Sequence, residues 1–482
     1  MNRIQRFLLL AGMASAVSAM AADDFGLKVD QLLGAQALKY FGVTKPLSSS
    51  ATIHVPRQPG QTASDLVALA PGLSATLLTR KIANTADMFA FWPSDENPTH
   101  LIWCIEGSRQ TLPNGKLNPS VQAIDLATGQ ITTILRGMTA CDGIRRTPWG
   151  TILATEETSS GGAYEILNPL AIQDVAILNR ATGAVTHPEH VVKRTALPTM
   201  AWEGIAILPS GVVIAGDELR PGTGVADRDG GAIFKFVPAA PRTESTPISN
   251  PSQSPLAAGT VYALQVTCLN DRQQYGQGCE IGKAAWVPVS ASNARVDAHN
   301  NGATGYYRPE DLERDPSYNG PGVRFCWTNT GNEDADNYAE VICGIDSDPL
   351  VANPNTRSVT VNRFIEGDLD FNSFDNLAFQ PGTGILYVVE DHDFGDIFAC
   401  LPDGEDRDLK SDGCIKVLSV KDETAEPTGF GFTVDGKVAI LSIQHSDDSG
   451  CPAGSECGAV DGYPTDDLVV VRGFKILPGM MR

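Results

Sequence analysis

Short apolar runs separated by turns dominate the chain, and one phrase of this kind recurs. A polar or acidic residue opens it; an apolar strand, a Pro/Gly/Asp turn and a second apolar strand follow; an acid or a histidine closes it. The phrase reads CDGIRRTPWGTILATEE over residues 141–157 and WEGIAILPSGVVIAGDE over 202–218. It returns as FDNLAFQPGTGILYVVEDH over 374–392 and TGFGFTVDGKVAILSIQH over 428–445, with a looser copy, PEDLERDPSYNGPGVRFCWTNT, over 309–330. HLIWCIEG at 100–107 is a candidate first member. Strand pairs recurring every 50 to 60 residues or so are of propeller-blade size. The expected fold is therefore all-β: a β-propeller, six-bladed, forming one domain over residues 22–482. An insertion is expected around 238–305, where PAAPRTESTPISNPSQSP at 238–255 reads as surface chain. Residues 23–46 pattern as partly helical and are expected to pack against the outside.

Composition agrees with many short strands, since 47 Gly and 31 Pro interrupt helices too often for a bundle. The net charge of -21 repels polyanions and excludes nucleic acid as a partner of the surface as a whole. The same excess of carboxylates supplies ligands for hard cations. No stretch approaches a membrane span. Arg3 and Arg6, the apolar run over 7–14 and Ala19-Met20-Ala21 form a Sec-type signal peptide over residues 1–21. A periplasmic or extracellular monomer is expected. Eight of the ten cysteines form short-range couples, Cys268/Cys279, Cys326/Cys343, Cys400/Cys414 and Cys451/Cys457, as an oxidising compartment favours. Cys104 and Cys141 are left over: either they bridge each other or one is kept as a thiolate.

The polar ends of the phrase carry the chemistry. Inner strands of a propeller surround one channel, so matching positions converge on one mouth. The converging set is Glu156, Glu157, Glu203, Asp217, Glu218, Glu310, Asp375, Glu390, Asp391 and His445. Carboxylates crowded in one cavity repel each other unless cations sit between them. The chain has no G-x-S-x-G elbow, H-E-x-x-H, P-loop or C-x-x-C motif.

At these phrases the sequence resembles the PhoX-type alkaline phosphatase family. Cys141, Gly143, residues 147–151 (TPWGT) and Glu156-Glu157 match one family phrase, with Asp142 where the family has a small residue. Glu203-Gly204 matches H-E-G with Trp202 for the histidine, and Arg308-Pro309-Glu310 matches R-P-E-G with Asp311 for the glycine. Asp375-Asn376-Leu377, Glu426, residues 428–437 and Ile443-Gln444-His445 complete the likeness. Residues 215–220 (AGDELR) depart from the family's E-D-x-x-D. The resemblance implies a six-bladed propeller hydrolysing phosphate monoesters with calcium (Ca2+) and iron (Fe3+) ions. It implies Cys141, Glu156, Glu157, Glu203, Glu310 and Asp375 as metal ligands, with Cys141 a thiolate on iron and Cys104 unpaired or merely buried. Arg308 would hold the phosphate.

The leading expectation is thus a secreted metal-dependent phosphatase. A non-catalytic calcium-binding propeller and a calcium-dependent lactonase-like hydrolase are the alternatives; neither uses both Cys141 and Arg308.

Overall fold

The computed structural model describes residues 25–266, 280–402 and 413–477. Six strands, Ala86–Trp92, Cys141–Arg146, Trp202–Ile207, Pro309–Arg314, Phe374–Phe379 and Glu426–Phe432, each stand at one end of a sheet or of the longest sheet's two arms. Each packs on the next, and the last returns to the first, so they close a ring. The chain is an all-β propeller. Each inner strand pairs antiparallel with the strand that follows it, as a short strand–turn–strand segment does most readily.

Closure of the ring uses both ends of the chain. Ser74–Ala83 pairs with Thr465–Arg472 and completes the last unit's sheet, while Val67–Leu69 adds to the preceding sheet through Cys414–Val420. Helices Phe25–Ala35 and Ala37–Phe41 lie in the N-terminal stretch expected to be helical, and Phe41 is fully buried among residues of these last two sheets. The 238–305 stretch is only partly irregular. Gly259–Val266 extends the sheet from Ile233–Pro238, and Gly282–Val289 joins it to Val359–Glu366, so two units share one nine-stranded sheet. Trp149 and Trp202 are fully buried in one apolar cluster between neighbouring sheets.

The inner strands approach backbone to backbone, and glycine makes that possible. A Cβ on Gly204 would stand 1.6 Å from the amide nitrogen of Leu312, and one on Gly143 1.9 Å from the carbonyl oxygen of Glu203.

Cys326–Cys343, Cys400–Cys414 and Cys451–Cys457 are disulfides, the first two between residues directly opposite on paired strands. The Cys268/Cys279 couple lies outside the described residues. Cys104 and Cys141 are also bonded to each other, across 37 residues of sequence. This corrects the expectation of a thiolate at Cys141. His100–Ile105 and Cys141–Arg146 belong to adjacent units, and the ring brings their Cα atoms to 5.1 Å. No helix of the described residues is long and apolar enough to cross a membrane.

Candidate metal centre

All six inner strands carry a β-bulge near their start, where three residues span two on the partner strand. The register slips between Ala86 and Phe89, Cys141 and Ile144, Trp202 and Ile205, Pro309 and Leu312, Phe374 and Leu377, and Thr428 and Gly431. A bulge breaks the two-residue alternation and re-aims a side chain. The first bulged residue is an acid in five strands: Asp87, Asp142, Glu203, Glu310 and Asp375. In the sixth it is Gly429. The first four are buried and Asp375 is half-buried.

A second set follows from the partner strands. Ile105, Glu156, Asp217, Asn329 and Glu390 pair with the residues that open the bulges, and the next residues are Glu106, Glu157, Glu218, Thr330 and Asp391. These acids are half-buried or exposed, so they lie nearer the mouth. The sixth strand pair runs two residues further, bringing Glu426 opposite Gln444 with His445 beyond it.

Strand parity therefore separates the members of each acidic doublet. The second member joins the channel cluster: Glu157 meets Glu106 and Glu218, and Asp391 meets Glu426. The first member turns away from it, to partners outside the cluster. Glu156 accepts from Arg180 Nε at 2.6 Å and from the backbone amide of Thr139 at 3.0 Å. Asp217 is held bidentately by Arg295, at 2.6 and 2.7 Å, and Glu390 by His392 Nε2 at 3.0 Å and the amide of Asn372 at 2.9 Å. Glu156, Asp217 and Glu390 are thus each held by a basic side chain away from the channel cluster in which they were expected. Glu156→Gln is accordingly expected to lower stability by about 2–3 kcal/mol, since Arg180 loses its buried partner. Bound metal should stay at the wild-type level; denaturant unfolding in excess calcium, with metal content measured alongside, checks both.

Asp87, Asp142 and Glu106 were missing from the expected set. Asp142 stands second in the first phrase, as Glu203, Glu310 and Asp375 do in theirs, and that matching position is the signal that would have marked it. Asp87 belongs to the inner strand that precedes HLIWCIEG, a strand the repeat did not reveal.

Burial and mutual repulsion push these carboxyls upward. Burial and the charge of Glu106 raise Asp87 to about 7. Burial, then neighbouring carboxylates, hold Asp142, Glu157, Glu203 and Asp375 well above the ordinary range. Glu310 is also held well above it by burial, against the pull of Arg308. Burial works against the charge of His445, but Glu426 raises it to about 10.

Arg308 stands among these acids, with its backbone in the left-handed region at φ 55°. Its Nε donates to Glu218 at 2.5 Å and its Nη2 lies 3.0 Å from Glu310. Burial disfavours its charge, but Glu310 and Glu218 outweigh that and keep it a firm cation. Its neighbour Asp311 turns the opposite way, to Arg145 at 3.0 Å. Arg145 belongs to the far end of the inner strands, where a cavity of about 400 Å³ is walled by Phe89, Phe91, Phe379, Phe430 and Phe432.

The acids suit hard cations. Asp87, Asp142 and Glu203 each offer an oxygen within 4.8 Å of the others, and so do Glu203, Glu310 and Asp375. Asp142 Oδ1, Glu203 Oε1 and Glu426 Oε2 are buried without a hydrogen-bond partner, as metal-facing oxygens are when the ion is left out of account. Oxygen-only donors fit calcium. They do not fit a thiolate-bound iron, because Cys141 is in a disulfide and no described cysteine is free.

A family model described as alkaline phosphatase PhoX matches residues 127–447. Among solved structures, the chain is similar to Pseudomonas fluorescens PhoX in complex with vanadate, a transition state analogue. The identity is 15%, the TM-score 0.55, and the likeness covers 88% of this chain and 98% of that one. It is also similar to a gluconolactonase from Xanthomonas campestris, at 10% identity and a TM-score of 0.40, covering 89% and 99%. No curated protein sequence matches.

Proposed function

The chain belongs to the alkaline phosphatase PhoX family, and from that premise we propose that it hydrolyses phosphate monoesters at a calcium-dependent centre in the propeller channel. The observation that carries the reading is the pair of carboxylate triads sharing Glu203, with the Arg308 guanidinium beside them. Asp87, Asp142, Glu203, Glu310 and Asp375 are the ligands, with Glu106, Glu157, Glu218, Asp391 and Glu426 completing the mouth. When bound, the cations neutralise the phosphate dianion and polarise an oxygen for attack on phosphorus.

The protein's own part is to orient and to grip. Thr428 Oγ1 donates to Asp87 at 2.7 Å and Gln444 Nε2 lies 3.3 Å from it, which fixes that carboxylate. Gln444 Nε2 also holds Glu426 at 2.8 Å, and Thr330 donates to Glu310. Arg308, anchored on Glu218, presents a planar fork suited to two phosphate oxygens. The expected location is the periplasm or the exterior of the cell: the disulfides suit an oxidising compartment, and the signal peptide over 1–21 lies outside the described residues. One propeller domain over 22–482, acting as a monomer, is the proposed working unit.

Chelation followed by dialysis is expected to abolish hydrolysis of a chromogenic phosphate monoester and to lower the melting temperature; added calcium should restore both. Metal-replete protein that binds calcium but cleaves no phosphate monoester would leave the binding-module reading in its place.

A further inference from the structure

The family resemblance assigns a cysteine to the metal site, yet the structure gives that cysteine another bond. Cys141 Sγ is joined to Cys104, and both residues are fully buried. The next residue, Asp142, occupies the place where the family has a small side chain. It is the first bulged residue of its strand, the position that Glu203, Glu310 and Asp375 hold in theirs. A carboxylate thus lies in the channel wall one residue after a sulfur that is bonded elsewhere.

We infer that Asp87, Asp142 and Glu203 form a divalent-cation site built only of oxygen donors, which replaces the thiolate-bound metal of the family in this chain. Three observations support it. First, the three carboxyls each bring an oxygen within 4.8 Å of the others. Second, Asp142 is 3% exposed and Glu203 2%, and Asp142 Oδ1 and Glu203 Oε1 are both buried without a hydrogen-bond partner. Carboxylates so enclosed are costly unless a proton or a cation neutralises them, and two unpartnered oxygens facing one cluster suit a cation. Third, the site is oriented from outside: Thr428 and Gln444 supply donors to Asp87.

Donor chemistry then selects the ion. Zinc favours imidazole and thiolate, and neither belongs to the triad. Calcium is satisfied by carboxylate, carbonyl and water oxygens in flexible geometry. Glu203 also belongs to the Glu203–Glu310–Asp375 triad, so the same residue would serve both groups of donors.

The inference rests on the metal-dependent reading above but is tested apart from activity. Protein purified natively, without chelators, should contain calcium and only traces of iron. It should show no visible absorption from thiolate-to-iron charge transfer. A peptide map of active protein under non-reducing conditions should link Cys104 to Cys141. Asp142→Asn, which keeps the shape and removes the charge, should lose about one calcium ion per chain and shrink the rise in melting temperature that calcium produces.

Iron near stoichiometry, with a visible band that vanishes in Cys141→Ser, would overturn the inference; so would full calcium retention in Asp142→Asn. If that variant does not fold, the iron content, spectrum and disulfide of the wild type still decide. A chain that binds calcium through Asp142 yet hydrolyses no phosphate ester defeats the proposed function and leaves this site standing.

Discussion

Glu203→Gln is expected to abolish phosphomonoester hydrolysis while leaving the metal-free protein at least as stable as wild type. Among the described residues Glu203 is the one common to both carboxylate triads, so its loss should weaken both proposed cation positions at once. A fall in kcat/KM of about 10³ or more is expected, equivalent to about 4 kcal/mol of transition-state stabilisation. The stability effect has the opposite sign from that of most buried substitutions. Burial, and then the charge of Asp142, disfavour ionised Glu203 in the fold, so its carboxylate destabilises the metal-free state. Glutamine occupies the same volume and removes that repulsion. In chelator, the melting temperature should therefore hold or rise; in calcium, the variant should gain less than wild type gains. Activity assays and paired melting curves with and without calcium check both halves. Normal turnover would show that the triads are not the catalytic centre. A large loss of stability in chelator would show that Glu203 is a structural partner instead.

Arg308→Lys is expected to cost about 10²–10³ in kcat/KM with little change in melting temperature. Lysine keeps the positive charge that Glu218 and Glu310 demand, so the electrostatic balance of the site survives. What it loses is the planar pair of N–H donors that can meet two phosphate oxygens. Inhibition by inorganic phosphate should weaken in parallel, because the product presents the same oxygens. If Arg308 merely neutralised its two acids, lysine would serve nearly as well. Near-wild-type activity in Arg308→Lys would therefore refute the phosphate role. The residue's left-handed backbone, φ 55°, supports a placement imposed by its surroundings.

Strand–turn–strand phrases are local objects, and the sequence by itself determined them. Apolar runs of strand length, punctuated by Pro, Gly and Asp, bury only when stacked in a ring, and the recurrence of the phrase pointed to that ring. Short-range cysteine couples such as Cys326/Cys343 and Cys400/Cys414 were equally visible, because hairpin partners lie close in sequence. That acids gather at the ends of these strands was also legible, and the structure brings Glu203, Glu310, Asp375 and Arg308 together from their separate phrases.

Tertiary structure decided which acid of each doublet faces the channel. Parity along a strand depends on register, and a bulge of one residue reverses it, so Glu156 and Glu157 are indistinguishable until the pairing Cys141–Glu156 is known. It also brought Asp87 to the carboxylate cluster, since its place follows from ring closure against Thr428 and Gln444 of the last unit. It joined Cys104 to Cys141, a bond between adjacent units that no local spacing announces. The physical reason is common to all three: periodicity reports how a residue sits within its own strand, and only packing of one unit on the next reports what that residue meets.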